Sequence, residues 1–320
     1  MRDPKISIII PVYNRSFLIR KTLKSIQDQL YHNWECLVVD DNSTDETWST
    51  VSALAIGDNR IKIFQKPKEL PKGPGASRNY GLTKAEGDII HFLDSDDILG
   101  KSLYEEIIFL FVSREAEAVI TRVIFYENST GKISYEPPPF TIKNFIVNGL
   151  INHAFCTPNI FWRRCFLDNA KVLFNEKISM AEDLDFNIRN FVQSPKVIIK
   201  NDLFIYARKH ENSLTRGCEY IIQRNLDWLV VLNNLIELLC ENNLYNITVS
   251  RYAAKQAKGL LMNLARNNYF SRKVFSHWLF MNRELVKGFQ LANLFIYNAK
   301  ILFVSAVSIS KRLTIKHKPV

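Results

Sequence analysis

Cysteine is scarce in this chain, with five in 320 residues. The number is odd and no two cysteines form a Cys-x-x-Cys pair, which excludes a disulfide framework and favours buried thiols in a reducing compartment. A secretory signal is also lacking, because the first apolar run, residues 6–10, is short and meets Pro11 at once. We therefore expect a cytoplasmic protein whose first apolar run is a strand.

Long apolar runs are lacking as well. The late apolar segment 291–310 is interrupted by Asn293, Asn298 and Lys300. Its uninterrupted part, 301–310, is about half of the roughly 20 residues that a membrane-spanning helix requires. A transmembrane helix is therefore not expected.

Acidic residues are nearly absent from the C-terminal part of the chain. Residues 251–320 hold 13 of the 42 Lys and Arg residues but only one of the 32 acids, Glu284. A basic segment of this kind is typical of peripheral contact with an anionic membrane surface, and solvated helix faces are the alternative. Its aromatic residues have the pattern of a core, so no nucleic-acid partner is expected.

An acidic cluster follows an apolar run in the first third of the chain. The run 89–93 ends at Asp94, Asp96 and Asp97, three carboxylates within four positions. Such a run predicts a central strand of a parallel sheet, and ligands bind at the carboxyl ends of these strands. Because the carboxylates repel one another, the cluster favours a divalent cation between them. The alternative is an acidic turn that caps the next helix.

Strands and helices alternate along the first hundred residues. Apolar runs predict strands at 5–11, 34–39 and 60–65, and an apolar stripe at helical spacing predicts a helix after the first of them. The members of that stripe are Ile19, Leu23, Ile26 and Leu30. This alternation predicts an α/β fold: a mostly parallel, Rossmann-like sheet with helices on both faces.

Three polar loops of this sheet, residues 11–15, 40–45 and 94–97, are expected to meet at one edge. Residues 73–79 open another helix beside that edge and supply glycines and Arg78, whose guanidinium can pair with phosphate. The glycine-rich run is neither a Walker loop nor a Gly-x-Gly-x-x-Gly dinucleotide turn. Alone, it does not identify the ligand.

The pattern is less regular after residue 98. It predicts a helix near 101–113 and strands near 117–126 and 131–135. From about residue 217 the apolar stripes are those of helices. We therefore expect a helical C-terminal appendage behind the α/β part.

Two polar pieces of this second half are candidates for function. Glu182 and Asp183 precede an apolar helical face, where carboxylates are also favourable for purely structural reasons. His210 lies in a polar run, and a lone histidine there is most often a surface residue. The residues alone leave both alternatives open.

Taken in order, these motifs resemble those of the family 2 glycosyltransferases with the GT-A fold. The matching stretches are residues 7–14, 38–45, 75–79 and 92–97, followed by Glu182-Asp183 and the pattern Arg208-x-His210-x-x-Ser213. The resemblance is strong across 5–100, moderate to about residue 215 and absent beyond. It implies a GT-A nucleotide-sugar-binding and catalytic domain at 1–215, and leaves 216–320 as a basic, helical C-terminal region.

The resemblance implies an enzyme that transfers a sugar from a nucleotide-diphospho-sugar, usually a UDP-sugar, to an acceptor hydroxyl. Pro11, Tyr13 and Asn14 match the loop that lines the nucleotide pocket. Asp41 matches the carboxylate that hydrogen-bonds the base, and Arg78 matches the basic residue near the diphosphate.

The acidic cluster also has a counterpart in the family. Asp94-Ser95-Asp96 matches the DxD motif, with Asp94 near the ribose and donor sugar and Asp96 on the Mg²⁺ or Mn²⁺ that bridges the diphosphate. Asp183 matches the catalytic base, and His210 matches a histidine that in some relatives helps to hold metal or diphosphate. The implied reaction is an inverting single displacement. Its acceptor would be a growing surface polysaccharide or a lipid-linked oligosaccharide at the cytoplasmic membrane face.

Two other functions remain open. The first is a nucleotide-sugar-binding protein without turnover, which the joint presence of Asp94, Asp96 and Asp183 argues against. The second is a metal-dependent nucleotidyltransferase, whose Rossmann-like core also holds a metal and a nucleotide. Such enzymes typically begin with a glycine-rich signature and a lysine near the first strand, which residues 11–15 lack.

Overall fold

A computed structural model gives the architecture of the chain. It describes residues 3–140, 145–146, 149, 155–178, 180–209, 221–244, 248–249, 252–253, 255–256 and 259–260. The chain separates into two compact units, Met1–Ser213 and Leu214–Val320. The boundary near residue 215 and the roles of the two parts stay predictions.

Strands and helices alternate through the described part of the first unit. Its elements are β1 (Ile6–Val12), α1 (Ser16–Gln27), β2 (Trp34–Asp40), α2 (Thr47–Gly57), β3 (Ile61–Gln65), α3 (Pro74–Leu82), β4 (Ile89–Phe92), β5 (Ile98–Leu99), α4 (Leu103–Ser113), β6 (Ala118–Glu127), β7 (Ile133–Tyr135), a 3₁₀ turn (Thr157–Asn159), β8 (Ile160–Arg163), α5 (Arg164–Ala170), α6 (Glu182–Phe191) and β9 (Val197–Lys209). From β1 to β4 the alternation is strict, as the sequence predicts.

The strands of the described residues form one mixed sheet in the order β3-β2-β1-β4-β8-β6-β9-β5, with β7 paired to β6. β3, β2, β1 and β4 are parallel to one another, as are β6 and β9. β8 is antiparallel to its neighbours β4 and β6, and β5 and β7 also pair antiparallel. The predicted α/β class is confirmed, and the parallel half carries the loops of the predicted site.

The centre of the sheet is apolar and closely packed. Ile9 of β1 lies beside Leu37 of β2 on one side and Phe92 of β4 on the other, and all three are buried. α3 covers this centre through Gly81, where an added Cβ would lie 2.5 Å from Ile9 Cγ2 and 3.1 Å from Val39 Cγ2. Glycine therefore lets α3, the helix that carries Arg78, sit directly on the two strands that lead to the site.

α1 is shorter than the apolar stripe predicts. The first three stripe residues are buried, but the helix ends at Gln27 and Leu30 is 54% exposed. The side-chain amide of Gln29 donates to the carbonyls of Ser25 (3.1 Å) and Gly100 (2.7 Å), which fixes the chain as it leaves the helix. The prediction that Leu30 lies on the buried face was wrong, because this turn replaces the last helical turn.

The described part of the second unit is mainly one helix, α7 (Ile221–Glu241). Its buried positions include Leu232, Leu235 and Leu239 of the predicted apolar stripe. No helix among the described residues is long and apolar enough to cross a membrane. Most of the basic segment 251–320 lies outside the described residues.

Candidate active site

The loops after β1 and β2 are fastened to each other at the carboxyl edge of the sheet. The backbone N–H of Asn14 donates to Ser43 Oγ (3.0 Å), and the N–H of Thr44 donates to Asn14 Oδ1 (2.8 Å). Asn14 has a φ of 51°, a left-handed conformation that asparagine accepts more readily than most residues. Beside it Pro11 is half-buried and Tyr13 is 49% exposed. The predicted nucleotide loop is therefore fixed in its backbone and keeps one exposed ring.

Asp41 follows β2 directly, and its carboxylate is held from two sides. Oδ2 accepts a hydrogen bond from the backbone N–H of Gly73 (2.7 Å), and Oδ1 lies 2.7 Å from Nζ of Lys66. Lys66 is only 1% exposed and follows β3 directly. Nothing in the sequence singles out Lys66, because a lysine after a strand is usually a surface residue.

Arg78 joins two parts of the chain that are distant in sequence. Its buried guanidinium donates from Nη2 to Asp94 Oδ1 (2.6 Å) and from Nη1 to Glu182 Oε1 (3.0 Å). The guanidinium carbon lies 5.2 Å from the ring centre of Phe174. Burial alone would lower the Arg78 pKa, but the two carboxylates outweigh burial and raise it. The structure thus places this predicted phosphate contact on two carboxylates; its contact with a diphosphate stays a prediction.

The acidic cluster forms a tight turn after β4. The backbone N–H of Asp97 donates to the carbonyl of Asp94 (3.2 Å). Ser95 and Asp97 are buried, whereas Asp94 and Asp96 are half-buried. Burial raises the pKa of the Asp97 carboxyl well above its usual range, and the charges of Asp96 and Asp94 raise it further against the opposing charge of Arg208. Negative charge is therefore concentrated on one turn.

Arg208 of β9 holds this turn against α1. Its Nε donates to the carbonyl of Asp96, and Nη2 donates to the carbonyl of Leu18 (2.9 Å) and to Thr22 Oγ1 (3.0 Å). The Thr22 hydroxyl in turn donates to the carbonyl of Ser95 (3.0 Å). The acidic turn is thus fixed through its backbone by Arg208 and Thr22. Arg208 belongs to the family pattern in the sequence but was not among the predicted site residues.

Asp183 lies in the first turn of α6, next to Glu182. The residue before this pair, Ala181, has a left-handed φ of 58°, and Asp183 Oδ1 accepts a hydrogen bond from the N–H of Leu184 (2.7 Å). Burial and the charge of Glu182 raise the pKa of Asp183 to about 7, although the charge of Arg78 opposes them. A carboxyl group with a pKa near neutrality is suited to take a proton from a substrate.

Cys156, just before the 3₁₀ turn that leads into β8, shares the electrostatic environment of Asp183. Burial raises the pKa of its thiol well above the usual range, and the charges of Asp183, Asp97 and Asp94 raise it further. A thiol of this kind stays protonated and is not an activated nucleophile. A single cysteine in an irregular stretch gives no signal in sequence, so Cys156 was not predicted.

The sequence profile described as "Glycosyl transferase family 2" matches residues 7–169. The chain belongs to this family. The match runs from β1 into α5, so in this family 2 glycosyltransferase it includes residues 11–15, Asp41, Arg78 and the acidic turn. It ends before Asp183, whose role stays a prediction.

Curated relatives of this family 2 glycosyltransferase come from several bacteria. The uncharacterized glycosyltransferase EpsJ of Bacillus subtilis is 28% identical over 226 residues, which cover 66% of this chain and 63% of EpsJ. The GalNAc(5)-diNAcBac-PP-undecaprenol beta-1,3-glucosyltransferase of Campylobacter jejuni is 45% identical over 96 residues, or 30% of this chain and 31% of that enzyme. The chain therefore covers less than two thirds of either relative.

Solved structures confirm the predicted GT-A fold. Residues 1–349 of TarS from Staphylococcus aureus, in complex with UDP-GlcNAc, match at a TM-score of 0.65 and 22% identity over 97% of this chain and 92% of that chain. The mannosyltransferase PcManGT from Pyrobaculum calidifontis, in complex with GDP-Man and Mn²⁺, matches at a TM-score of 0.58 and 17% identity, over 94% and 88% of the two chains. At these identities the likeness shows the fold alone.

The acidic turn of this family 2 glycosyltransferase fits a hard divalent cation by its chemistry. Among the described residues, no three His, Cys, Asp or Glu side chains form a ready-made metal site. Mg²⁺ is, however, usually bound through one or two carboxylates together with substrate phosphates, and Asp94 and Asp96 offer two half-buried carboxylates whose charges already raise the pKa of Asp97. His210, the other predicted ligand, lies outside the described residues.

Proposed function

We propose that this protein transfers a sugar from a nucleotide-diphospho-sugar, with a UDP-sugar favoured, to an acceptor hydroxyl, with inversion at the anomeric carbon. The observation that carries the proposal is the bridge through Arg78, which holds Asp94 on one side and Glu182 on the other. Asp183, whose pKa is raised to about 7, is the next residue after Glu182. A donor-binding turn and a candidate base therefore belong to one connected cluster.

In this proposal the donor nucleotide lies along the carboxyl edge of β1 and β2. Pro11, Tyr13 and Asn14 line its pocket, and Asp41 accepts a hydrogen bond from the base. Asp94 and its neighbour in the acidic turn, Ser95, face the ribose and the donor sugar. The UDP-GlcNAc bound in the TarS structure supports a UDP-sugar as the donor. Because the mannosyltransferase structure contains GDP-Man, GDP-sugars are tested as donors too.

The reaction follows from the position and pKa of Asp183. An acceptor hydroxyl is a poor nucleophile, so Asp183 takes its proton as the oxygen attacks the anomeric carbon. The bond from that carbon to the diphosphate oxygen breaks in the same step, and the nucleoside diphosphate leaves. A single displacement from the opposite face inverts the configuration. Mg²⁺ or Mn²⁺, held by Asp96 and His210, would stabilise charge on the diphosphate when bound.

The acceptor is proposed to be a growing surface polysaccharide or a lipid-linked oligosaccharide. The name of the Campylobacter jejuni relative, which acts on an undecaprenol-linked saccharide, supports this class. The excess of Lys and Arg in residues 251–320 supports peripheral contact with an anionic membrane at the cytoplasmic face, where such acceptors are bound. No nucleic-acid partner is proposed.

A donor screen tests the proposed function. The protein is incubated with UDP- and GDP-sugars in Mg²⁺ or Mn²⁺, and both thermal stabilisation and release of the nucleoside diphosphate are measured. We expect at least one donor, a UDP-sugar, to raise the melting temperature and to be hydrolysed slowly in a metal-dependent manner. Asp96→Ala should remove both effects, whereas Asp168→Ala, at an exposed position of α5, should retain them.

Two outcomes of the screen would favour the alternatives. Stabilisation by a donor with no release, with or without saccharide acceptors, would indicate a nucleotide-sugar-binding protein. Release of pyrophosphate from a nucleoside triphosphate and a sugar phosphate would indicate a nucleotidyltransferase. Either result would refute the transfer reaction.

A further inference from the structure

Lys66 is a buried cation that none of the predicted roles uses. Its side chain is 1% exposed, and Nζ lies 2.7 Å from Asp41 Oδ1 and donates to the carbonyl of Pro71 at 2.6 Å. Burying an ammonium group is costly unless it is paired and hydrogen-bonded. Burial of this lysine therefore costs stability. Within the part of the chain that the structure describes, its charged partner is the carboxylate of Asp41, at the carboxyl end of β2.

The backbone fixes both partners at the same edge of the sheet. The N–H of Asp41 donates to the carbonyl of Val12 (2.9 Å), and the N–H of Lys66 donates to the carbonyl of Asp40 (2.9 Å). The remaining oxygen of Asp41 accepts from the N–H of Gly73, just before α3. The position of the carboxylate is thus set by the ends of three strands and the start of one helix.

An ionised carboxylate is a hydrogen-bond acceptor only. The Lys66 ammonium, 2.7 Å from Asp41 Oδ1, and the N–H of Gly73 hold this carboxylate in place. Uracil carries an N–H donor at ring position N3, where cytosine of the same size carries a lone pair. A fixed acceptor therefore pairs with uracil and repels cytosine at that atom. Guanine also carries a ring N–H, so it can donate a hydrogen bond to the same acceptor.

On the basis of the donor site proposed above, we propose that Lys66 is a specificity-determining positioning residue. It holds Asp41 as a fixed, acceptor-only group that selects nucleoside diphosphates whose base presents a ring N–H. Uracil is accepted and cytosine is rejected. The lysine itself does not touch the substrate; it acts through the carboxylate.

The test compares the dissociation constants of UDP and CDP by calorimetry in the presence of Mg²⁺. For the wild type we expect UDP to bind at least about 100-fold more tightly than CDP, since a buried acceptor facing a lone pair is left unpaired. Lys66→Met keeps the length of the side chain and removes the charge. It should reduce the UDP-to-CDP preference at least about tenfold, because Asp41 then loses the charged partner that fixes its carboxylate. Lys68→Met, at an exposed position two residues on, should leave the preference unchanged.

Lys66→Gln carries the test if Lys66→Met does not fold. Its amide can still donate to the carbonyl of Pro71 but carries no charge to pair with Asp41, so the preference for UDP should fall in this variant as well. A purely structural role for Lys66 predicts the opposite: folded Lys66→Met, or folded Lys66→Gln, keeps the wild-type preference within about twofold. That result would overturn the inference and leave the proposed function intact. A wild type that binds no nucleoside diphosphate would refute both.

Discussion

Asp183→Asn is expected to lower kcat by about 10²- to 10⁴-fold, while the dissociation constant of the donor changes by less than about threefold. Asparagine has nearly the same shape as aspartate, but its amide cannot take a proton from the acceptor hydroxyl. In the proposed function donor binding depends on Asp41 and the acidic turn, which this change leaves in place. With the donor identified by the screen, steady-state kinetics give kcat and calorimetry gives the dissociation constant of the donor.

The pH dependence of the wild type provides a second readout of the same residue. The ionised form of Asp183 is the active one, and its pKa is raised to about 7. We therefore expect kcat/KM to fall about tenfold per pH unit below that value and to level off above it. Asp168→Asn, at an exposed position, serves as the control and should reproduce the wild-type profile. Loss of donor binding in Asp183→Asn, with kcat retained, would assign this carboxylate to the donor instead of the acceptor.

Arg78→Gln is expected to lower kcat/KM at neutral pH by about 100-fold or more, since two interactions of one guanidinium are lost together. Without the cation, Asp94 and Glu182 lose their shared partner. The charge of Arg78 also holds down the pKa of Asp183, so its removal should shift the acidic limb of the pH profile to higher pH.

The shift of the pH profile separates this positioning role from general damage to the fold. Arg78→Lys keeps the charge but cannot bridge two carboxylates, so it should restore the pH profile more fully than the rate. Arg164→Gln, which removes a surface ion pair with the exposed Asp168, should leave both the pH profile and the rate unchanged. An unshifted profile in a folded Arg78→Gln protein would show that Arg78 does not act on Asp183.

The parallel half of the sheet was predictable because its signals are local. The apolar runs that become β1, β2 and β4 are almost entirely buried, and each is followed at once by polar residues such as Asn14, Asp41 and Asp94. Parallel strands bring their carboxyl ends to one edge, so the convergence of these loops follows from the strand assignments alone. Leu30 shows where a local pattern fails. The apolar stripe continues to Leu30, but the helix ends before it, the side chain of Gln29 donates to the carbonyl of Gly100, and Leu30 is exposed.

The strand order in the other half of the sheet and the internal contacts of the site could not be predicted. The insertion of β8 between β4 and β6 depends on pairing between segments far apart in sequence, which no local periodicity records. The same holds for the contact of Arg78 with Glu182, for Lys66 beneath Asp41, and for Cys156 near Asp183. The sequence can mark some of these residues as candidates, but it does not show which side chains they contact, because the partners are far apart along the chain.

The buried position of Asp97 answers a question that the sequence left open. Asp97 does not cap a helix, because β5 begins at the next residue and α4 only at Leu103. Burial raises the pKa of its carboxyl, and the charges of Asp96 and Asp94 raise it further against the opposing charge of Arg208. Asp97 therefore lies in an acidic turn whose charge a bound divalent cation would offset.

The anomeric configuration of the released sugar tests the proposed mechanism most directly. Slow hydrolysis of an α-linked UDP-sugar, followed by proton NMR from the first minutes, gives the configuration before mutarotation and needs no knowledge of the acceptor. A single displacement assisted by Asp183 predicts that the β-anomer forms first, and that Asp183→Asn suppresses its formation. Initial release of the α-anomer would contradict the single displacement and the role of Asp183 as its base.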